Sequence, residues 1–536
     1  MKRNQFFVYA CFLLVLVLFT GCSATASKDT LSTETSPAAE GITENEQPVQ
    51  SETDIVTLDI LAHSDFAGSI ESSEYYAGSA KLAAYIDSYR TKNPSGTFVL
   101  SCGDDLVGAP ISSLLKGKPV IEIMNKIGYD AMTIGNHEFD WGMETSGETL
   151  KMANFPLLLA NVYEKSSGER INFTKPYVII EKQGVKVGIL GLITQETPKI
   201  TLATSIEPYE FRNPIEEANE LIPIMKSEGA EIIVALTHIP AYAQADGSYT
   251  GEIIDFANGV QGVDAIIAGH NFDPMCIDVD DVPVIQTTHN GSQLSHIVFT
   301  YDRASKTIVS ATAEPIDVLT GTLDVQPDAE IASLVANYTT ELGTVFEEVL
   351  GTATEELTIG YVDEFSIGDW WTDGIRSATG AQFAFINSSG IFETIPAGPI
   401  TLGKLYSVSP FENNLVITDM TGAQIKELFE ISYNNTRIQE MGALQISGLV
   451  VTYDLSKPDG EKVVSITLED GTPVNDDTIV TTATINFLAT GGNDYTNLAA
   501  LNWDETGILA RDAFAAQMRK LGEISNTTYG RLVAVG

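Results

Sequence analysis

The sequence predicts an α/β protein of more than one domain, and two observations support this prediction. Short apolar runs rich in β-branched residues are separated by segments of helical length; they are residues 55–58, 97–100, 232–235 and 265–267. Such runs are typical of strands that are buried on both faces of a layered α/β domain. The second observation is the length of 536 residues, which is too great for one hydrophobic core. We therefore expect more than one α/β domain.

Residues 1–22 have the pattern of a bacterial lipoprotein signal peptide. Lys2 and Arg3 precede an apolar stretch from 6 to 19, which is short for a membrane span, and Gly21 stands before Cys22. This pattern resembles a lipobox, in which Cys22 is lipidated. Leucine is usual where Phe19 stands, so plain secretion and an uncleaved anchor are alternatives. Residues 23–53 contain few large apolar side chains, so we expect a disordered tether.

The rest of the chain divides at a predicted connecting helix. Apolar residues recur with helical spacing between 327 and 349, which places a linker helix at 323–350. The first domain then comprises residues 54–322, and the second α/β domain comprises residues 351–536. Further β-branched runs at 415–417 and 463–466 predict strands in the second domain.

The charge balance excludes one large class of partner. Lysine and arginine number 30 against 72 aspartate and glutamate residues, which gives a formal net charge of −42. Nucleic-acid binding needs a basic footprint, so we expect no nucleic-acid partner. An acidic surface instead suits a solvated protein that relies on metal ions to attract phosphate groups.

Polar side chains follow the predicted strands of the first domain one after another. They are Asp65, Asp104, the segment from Asn136 to Asp140, His238 and His270. Open α/β sheets collect their chemistry at the carboxyl ends of strands, so we expect these side chains to meet. Carboxylate, amide and imidazole groups together indicate a metal site.

At this point the motifs carry a family resemblance. The ordered set just given resembles the calcineurin-like metallophosphoesterase domain, and the segment Asn-His-Glu-Phe-Asp-Trp-Gly at 136–142 resembles the secreted 5′-nucleotidases. A second group of motifs, at 387–391, 396–400, 421–423 and 486–492, resembles their C-terminal domain. The resemblance covers residues 54 to 536. It implies an N-terminal four-layer α/β-β/α sandwich joined by a helix to a C-terminal α/β domain of the 5′-nucleotidase type.

The resemblance also implies a metal arrangement, in which Asp104 bridges two ions. One ion would be held by four side chains suited to zinc or manganese, which are Asp104, Asn136, His238 and His270. The other ion has lost two family ligands, because Ala67 and Phe272 stand where histidines are usual, leaving Asp65 and Asp104. We therefore expect one tight site. The other site is either a weak, oxygen-liganded magnesium or calcium site, or absent; His63 or Asp273 are possible substitute ligands.

The same resemblance assigns catalytic and substrate-binding residues. His137 would stabilise charge on the phosphate, and Asp140 would orient that histidine. The substrate-binding positions are Asn387, Gly390, Phe392, Phe487, Gly491, Gly492 and Asn493. Phe487 matches one of two base-stacking rings, and the second ring is expected where Ala443 stands. Phe392 replaces an arginine and Asn493 an aspartate, which puts ordinary 5′-nucleotide specificity in question.

These inferences give one leading function and one alternative. The leading function is an extracytoplasmic, metal-dependent phosphoesterase that hydrolyses nucleotides or related phosphate esters by attack of metal-activated water, in nucleotide catabolism. The alternative is a lipid-anchored pseudoenzyme or binding protein with a degenerate first metal site. In either case we expect a monomer in the bacterial cell envelope, lipid-anchored or secreted, whose only membrane contact is the N-terminal lipid. Its partner would be a small phosphate ester or nucleotide.

Overall fold

Two large β-sheets stack face to face in the N-terminal domain. The computed structural model describes residues 54–73, 76–244 and 246–535. The predicted signal peptide at 1–22, its lipidation site Cys22 and the tether at 23–53 lie outside the described residues. Within those residues, no helix is both long enough and apolar enough to cross a membrane.

Strands and short helices alternate along the N-terminal domain. The strands are β1 (Ile55–His63), β2 (Thr97–Ser101), β3 (Ala131–Thr133), β4 (Leu157–Leu158), β5 (Val162–Glu164), β6 (Tyr177–Lys182), β7 (Val185–Ile193), β8 (Tyr209–Phe211), β9 (Ile232–His238), β10 (Tyr242–Ala243), β11 (Tyr249–Thr250), β12 (Ala265–Ala268), β13 (Met275–Val279), β14 (Val282–Gln286), β15 (Gln293–Asp302) and β16 (Thr307–Asp317). The helices are α1 (Ser79–Lys92), α2 (Pro110–Leu114), α3 (Lys118–Ile127), α4 (Gly142–Leu150), α5 (Thr197–Ile200), α6 (Ala203–Ile206), α7 (Pro214–Ser227) and α8 (Glu252–Gly259).

Each large sheet has a parallel centre. The first sheet has the order β16-β15-β1-β2-β3-β4, and the second has the order β13-β14-β12-β9-β7-β6. Strands β1 to β4 run parallel in the first sheet, as do β7, β9, β12 and β14 in the second. Parallel strands need helical crossovers, which cover the outer face of each sheet. The loops after β1, β2, β3 and β12 carry predicted ligands, and the predicted ligand His238 is the last residue of β9.

The apolar side chains explain why four layers form. Strand residues such as Leu58 and Val234 meet in a core between the two sheets. The alternate residues face outwards, where Leu61 packs with residues of α1 and α3, and Leu190 packs with residues of α7. Because these strands are apolar on both faces, the sheets are buried on both sides. The predicted α/β fold class, with its layered N-terminal domain, is confirmed.

A second α/β domain follows the helix α9 (Ala329–Phe346), which lies within the predicted linker. Its strands are β17 (Val349–Ala353), β18 (Phe383–Asn387), β19 (Gly398–Thr401), β20 (Asn414–Thr421), β21 (Leu444–Ser447), β22 (Leu449–Tyr453), β23 (Val463–Leu468), β24 (Ile479–Ile485), β25 (Asp504–Leu509), β26 (Glu523–Ile524) and β27 (Leu532–Ala534). Its helices are α10 (Ser366–Thr379), α11 (Leu402–Val408), α12 (Gly422–Ser432), α13 (Asn435–Met441), α14 (Asn486–Ala489) and α15 (Ala510–Leu521).

The second domain is built on a five-stranded sheet of order β21-β18-β24-β20-β25, accompanied by two three-stranded sheets. Its core contains large aromatic side chains such as Trp371, Phe383 and Tyr433. Helix α9 connects the two domains along the chain and packs on the first, because its Ile331 and Tyr338 belong to the core of that domain. Both domains lie in one compact unit, Glu52–Gly536.

Candidate metal centre and substrate pocket

Four predicted ligand side chains meet where the parallel strands end. Oδ1 of Asn136 lies 2.8 Å from Nδ1 of His270 and 3.1 Å from Nε2 of His238. The two imidazole nitrogens are 3.2 Å apart, and Oδ2 of Asp104 lies 2.9 Å from Nε2 of His238. Atoms bound to one ion at about 2.0–2.2 Å are themselves roughly 3.0–3.6 Å apart. The spacing therefore fits a single divalent ion.

The hydrogen-bond pattern supports the same assignment. Nδ1 of His238 donates to the carbonyl of Cys102 at 2.8 Å, so Nε2 faces the cluster. Oδ2 of Asp104 is buried and lies 2.9 Å from that Nε2, so a proton or a cation is needed between the two atoms. Burial lowers the pKa of His238, but the carboxylate of Asp104 raises it to about 9. The cluster is thus arranged around a positive charge, which a divalent cation would supply.

The backbone at the site is held in an uncommon conformation. Asp65, Asp104 and His270 have φ angles of 52°, 56° and 92°. Left-handed backbone at residues other than glycine costs free energy and concentrates at functional sites. A Cβ atom on Gly135 would lie 2.2 Å from Oδ1 of Asp104, so only glycine allows this loop to approach.

Glu138 holds the two ligand loops together, a role that the sequence analysis did not assign. Its carboxylate accepts hydrogen bonds from the backbone N–H groups of Asp104, Asp105, Leu106 and Gly135, at 2.8 to 3.2 Å. Burial and the neighbouring Asp104 raise the pKa of Glu138 to about 7, while the backbone donors favour its charged form. Its place next to His137 in a Gly-bounded motif is the sequence signal for this role.

The metal position that has lost two family ligands offers few donor atoms. Oδ2 of Asp65 accepts hydrogen bonds from the Ser64 hydroxyl and from the backbone N–H of His270, the latter at 3.0 Å. The Phe272 ring is 46 % exposed and packs against His289, with 3.9 Å between ring centroids. Among the described residues, the group with metal-ligand spacing is Asp104, His238 and His270, without Asp65.

The two possible substitute ligands, His63 and Asp273, contact other groups. The His63 imidazole is buried beside Phe66 and Tyr129, and its Nδ1 lies 3.5 Å from Oδ1 of Asp105. Asp273 accepts a hydrogen bond of 3.0 Å from the backbone N–H of Ala243. The backbone of Asp65 is left-handed, with φ 52°, so the side-chain alternation of strand β1 does not continue from His63 to Asp65.

His137 and Asp140 form a pair beside the metal centre. Nδ1 of His137 lies 2.8 Å from Oδ2 of Asp140, and its Nε2 lies 4.0 Å from Oδ2 of Asp104. Burial lowers the pKa of His137, but the carboxylates of Asp140 and Asp104 raise it to about 10. The imidazole is therefore protonated at neutral pH. It can donate a charge-assisted hydrogen bond to an anion at the metal centre.

The predicted substrate-binding residues come together in the second domain. Nδ2 of Asn387 and Nδ2 of Asn493 both donate to the Ser389 hydroxyl, at 2.9 and 2.8 Å. Oδ1 of Asn387 is buried and has no hydrogen-bond partner among the described residues. The Phe487 ring lies against Gly492, where a Cβ atom would come within 2.5 Å of it. Glycine is required there because the ring occupies the space of a side chain.

Phe411, which the sequence pattern did not single out, places an aromatic ring next to the metal centre. Ala443 is 1 % exposed and belongs to the core of the second domain, so a ring at that position would face inwards. Phe411 stacks on the His137 imidazole, with 5.6 Å between centroids, and contacts the exposed ring of Phe392 at 5.5 Å. The signal missed in the sequence is Phe411 itself, an aromatic residue after Pro410 in the loop that precedes β20.

Comparison with known proteins gives matches over both domains. Residues 59–273 match the model of the calcineurin-like phosphoesterase domain, and residues 349–500 match the model of the 5′-nucleotidase C-terminal domain. The chain is 27% identical to Protein UshA of Escherichia coli (strain K12) over 518 residues, which cover 88% of this chain and 92% of that protein. It is 31% identical to Endonuclease YhcR of Bacillus subtilis (strain 168) over 428 residues. That match covers 76% of this chain but only 34% of the length of YhcR.

Solved structures share the two-domain architecture. The 5′-nucleotidase precursor from Thermus thermophilus superposes with a TM-score of 0.77 at 25% sequence identity, covering 90% of this chain and 99% of its own. A putative 5′-nucleotidase from Staphylococcus aureus, solved in complex with alpha-ketoglutarate, has a TM-score of 0.75 at 19% identity, covering 89% of this chain and 100% of its own. The second likeness concerns the fold alone.

Proposed function

The chain belongs to the 5′-nucleotidase family of calcineurin-like metallophosphoesterases and is a hydrolase of that type; from this premise we propose that it hydrolyses nucleotides or related phosphate esters in nucleotide catabolism. One observation carries the proposal. Four ligand atoms converge within 2.8 to 3.2 Å of their neighbours, next to the paired His137 and Asp140. This combination provides both a place for a cation and a proton donor for a phosphate group.

We assign the tight ion to Asp104, Asn136, His238 and His270. Two imidazoles with a carboxylate and an amide oxygen suit zinc or manganese better than magnesium. A divalent ion bound there would neutralise charge on the phosphoryl oxygens and acidify a water molecule for attack. Asp65 would contribute to a second ion only weakly, because one of its oxygens is already engaged by Ser64 and His270.

His137 supplies the remaining positive charge. Its imidazolium, oriented by Asp140 through Nδ1, can donate from Nε2 to an oxygen of the reacting phosphate. The Phe411 ring, which belongs to the second domain, covers one face of the His137 imidazole. The nucleoside part of the substrate would bind in the second domain, at Asn387, Gly390, Phe392, Phe487, Gly491, Gly492 and Asn493. Phe392 offers no guanidinium where the family has arginine, so recognition of additional anionic groups should be weaker.

The cellular setting is part of the proposal. The signal pattern and Cys22 support a lipid-anchored monomer in the bacterial cell envelope, with residues 23–53 as a tether. The folded part would comprise a metallophosphoesterase domain at 54–322, a linker at 323–350 and a substrate-binding domain at 351–536.

A specific observation also favours the alternative of a binding protein without turnover. Ala67 and Phe272 remove two imidazoles from one metal position, and Phe272 packs on His289 instead. An enzyme that needs two ions would be silenced by these changes.

Phosphate release from adenosine 5′-monophosphate tests the proposal. The full-length chain would be assayed in detergent with zinc or manganese, beside His137→Ala and the control His296→Ala. His296 pairs with Asp59 and Glu314 and has no part in the site. We expect His137→Ala to lower kcat by about 10²–10³-fold, and His296→Ala to leave it unchanged. If the metal-loaded wild-type chain released phosphate from no ester in a broad screen, the binding-protein alternative would replace the proposal.

A further inference from the structure

Arg437 is a buried guanidinium that lies between the end of helix α12 and two turns of the second domain. Only 7 % of the residue is exposed. Its Nε donates to the carbonyl of Asn493 at 3.0 Å, and its Nη1 donates to the carbonyls of Gly442 and Ser432 at 3.0 and 3.3 Å. The guanidinium also stacks over the ring of the fully buried Tyr495, 4.0 Å from the centroid.

The segments that Arg437 joins are those that shape the substrate pocket. Asn493 donates from its side chain to Ser389, which also receives the side chain of Asn387. The backbone N–H of Ser388 donates to the carbonyl of Ala443, which directly follows Gly442. Arg437 therefore fixes both segments that flank the turn at 387–390, one on each side.

Carbonyl oxygens of three segments surround the guanidinium of Arg437. Its Nη2 is buried without a hydrogen-bond partner among the side chains that the structure describes. Burying a cation against carbonyl oxygens costs free energy, so an apolar residue would serve a purely structural core better. The arrangement is explained if the fork of donors is needed to fix backbone geometry.

The backbone conformation of Asn493 explains why this segment needs to be held in place. Its backbone adopts φ 54° and ψ 38°, a left-handed conformation within the turn at Gly492–Asp494. A residue other than glycine keeps this conformation only when its surroundings determine it. The hydrogen bond from Arg437 to the Asn493 carbonyl holds the turn, and the side chain of Asn493 is thereby aimed at Ser389.

We propose that Arg437 is a positioning residue of the substrate pocket, which holds the Gly442 and Asn493 segments at the spacing that a nucleoside group requires. The inference rests on the proposed function in taking nucleotides as the substrate class. The phosphate is handled separately, at the metal centre of the first domain. Loss of Arg437 should therefore weaken recognition of the nucleoside and leave metal binding and phosphate chemistry intact.

The test compares two substrates that share the phosphate but not the nucleoside. Arg437→Met, which keeps an unbranched apolar stem without the donors, is assayed with adenosine 5′-monophosphate and with p-nitrophenyl phosphate. The control is Arg376→Met, because Arg376 binds Ser447 and Glu469 rather than loop carbonyls. All assays use the full-length chain, with metal content measured by elemental analysis.

For Arg437→Met we expect the KM for adenosine 5′-monophosphate to rise about tenfold with kcat little changed. The kcat/KM for p-nitrophenyl phosphate and the metal content should stay at wild-type levels, and added guanidinium chloride should restore part of the KM. Arg437→Lys should show the same selective loss, because its compact ammonium lacks the planar fork that separates the donors of arginine. An equal loss on both substrates, or an unchanged KM for adenosine 5′-monophosphate in both variants, would overturn the proposal.

Calorimetry with adenosine separates this inference from the proposed function. If the wild-type chain hydrolyses neither substrate, the proposed function fails, and adenosine affinity alone decides the role of Arg437. Adenosine binding that is lost in Arg437→Met and kept in Arg376→Met supports the positioning role. If Arg437→Met and Arg376→Met bind adenosine with equal affinity, or if the wild-type chain binds none, the positioning role is overturned.

Discussion

Two single-residue replacements determine how many metal ions this site can hold tightly. Asp104, Asn136, His238 and His270 meet with ligand spacing, whereas Ala67 and Phe272 offer no lone pair at the neighbouring position. We therefore predict one tightly bound zinc or manganese ion per chain, because two imidazoles hold such ions far better than one partly engaged carboxylate. The measurement is elemental analysis of the full-length chain after extensive dialysis.

Histidine variants provide the control for this stoichiometry. His238→Ala and His270→Ala should each abolish tight binding, and His296→Ala should leave one ion bound. Two transition ions retained by the dialysed wild-type chain would contradict the prediction.

Restoring the missing imidazoles is a separate prediction at the residue scale. In Ala67→His combined with Phe272→His, we expect a second bound ion and a higher rate with p-nitrophenyl phosphate. The left-handed backbone at residue 67, with φ 51°, is one that histidine tolerates better than most residues. Phe272→His alone serves as the control, since it removes the ring contact with His289 without completing the site. Two ions without any gain in rate would place the defect in substrate recognition.

At the scale of elements, the strands and the ligand order were predictable from sequence, and the ring of Phe411 that stacks on His137 was not. Apolar β-branched runs identify buried strands such as β2 and β9, and strand ends of one sheet are close in space. The order of the strands along the chain was therefore enough to predict that the ligand side chains meet. The position of Ala443 could not be judged in this way, because a motif spacing does not tell which way a residue at the start of a strand faces. Phe411 and Arg437 act from a loop and a short helix, where no periodicity fixes direction.

The C-terminal strand β27 carries a pH-dependent anchor. Arg531 lies 3.5 Å from Asp369 and 2.7 Å from Asp373, while the Glu364 carboxylate accepts the backbone N–H groups of Tyr529, Gly530 and Leu532. Burial and the nearby Glu364 raise the pKa of Asp369 to about 8, although Arg531 opposes the shift. The folded state therefore holds a proton on this carboxyl group that the unfolded chain releases at lower pH.

The sign of the pH effect follows from linkage. A pKa raised from 3.8 to about 8 contributes stability that is fully present below about pH 4 and is lost as the pH rises toward 8. We predict that the unfolding temperature of the wild-type chain falls relative to Asp369→Asn between about pH 5 and 8. Asparagine is neutral throughout this range and of similar size. A constant difference between the two melting curves across this range would contradict the raised pKa.

For the whole molecule, side chains of both domains meet next to the candidate metal centre. Phe411 of the second domain stacks on His137 of the first, and two polar contacts flank it: Lys116 with Glu412 at 2.6 Å, and Tyr76 with Glu393 at 2.8 Å. Both contacts are at least partly exposed, and exposed ion pairs contribute at most about 1 kcal/mol. These flanking contacts therefore add little to the domain association beyond the stacking of Phe411 on the His137 imidazole and the packing of helix α9.

The net charge of the molecule sets the last prediction. With a formal charge of −42, the chain repels an anionic substrate at long range, although the metal centre attracts it at short range. The Debye length falls from about 30 Å at 0.01 M salt to about 10 Å at 0.1 M, so added salt should screen the repulsion first. We expect kcat/KM for adenosine 5′-monophosphate to rise over this range of sodium chloride, at fixed free metal concentration. The rise should be smaller for bis-p-nitrophenyl phosphate, which carries a single negative charge. A fall in kcat/KM with salt would mean that the local positive field of the metal centre and His137 governs the encounter instead.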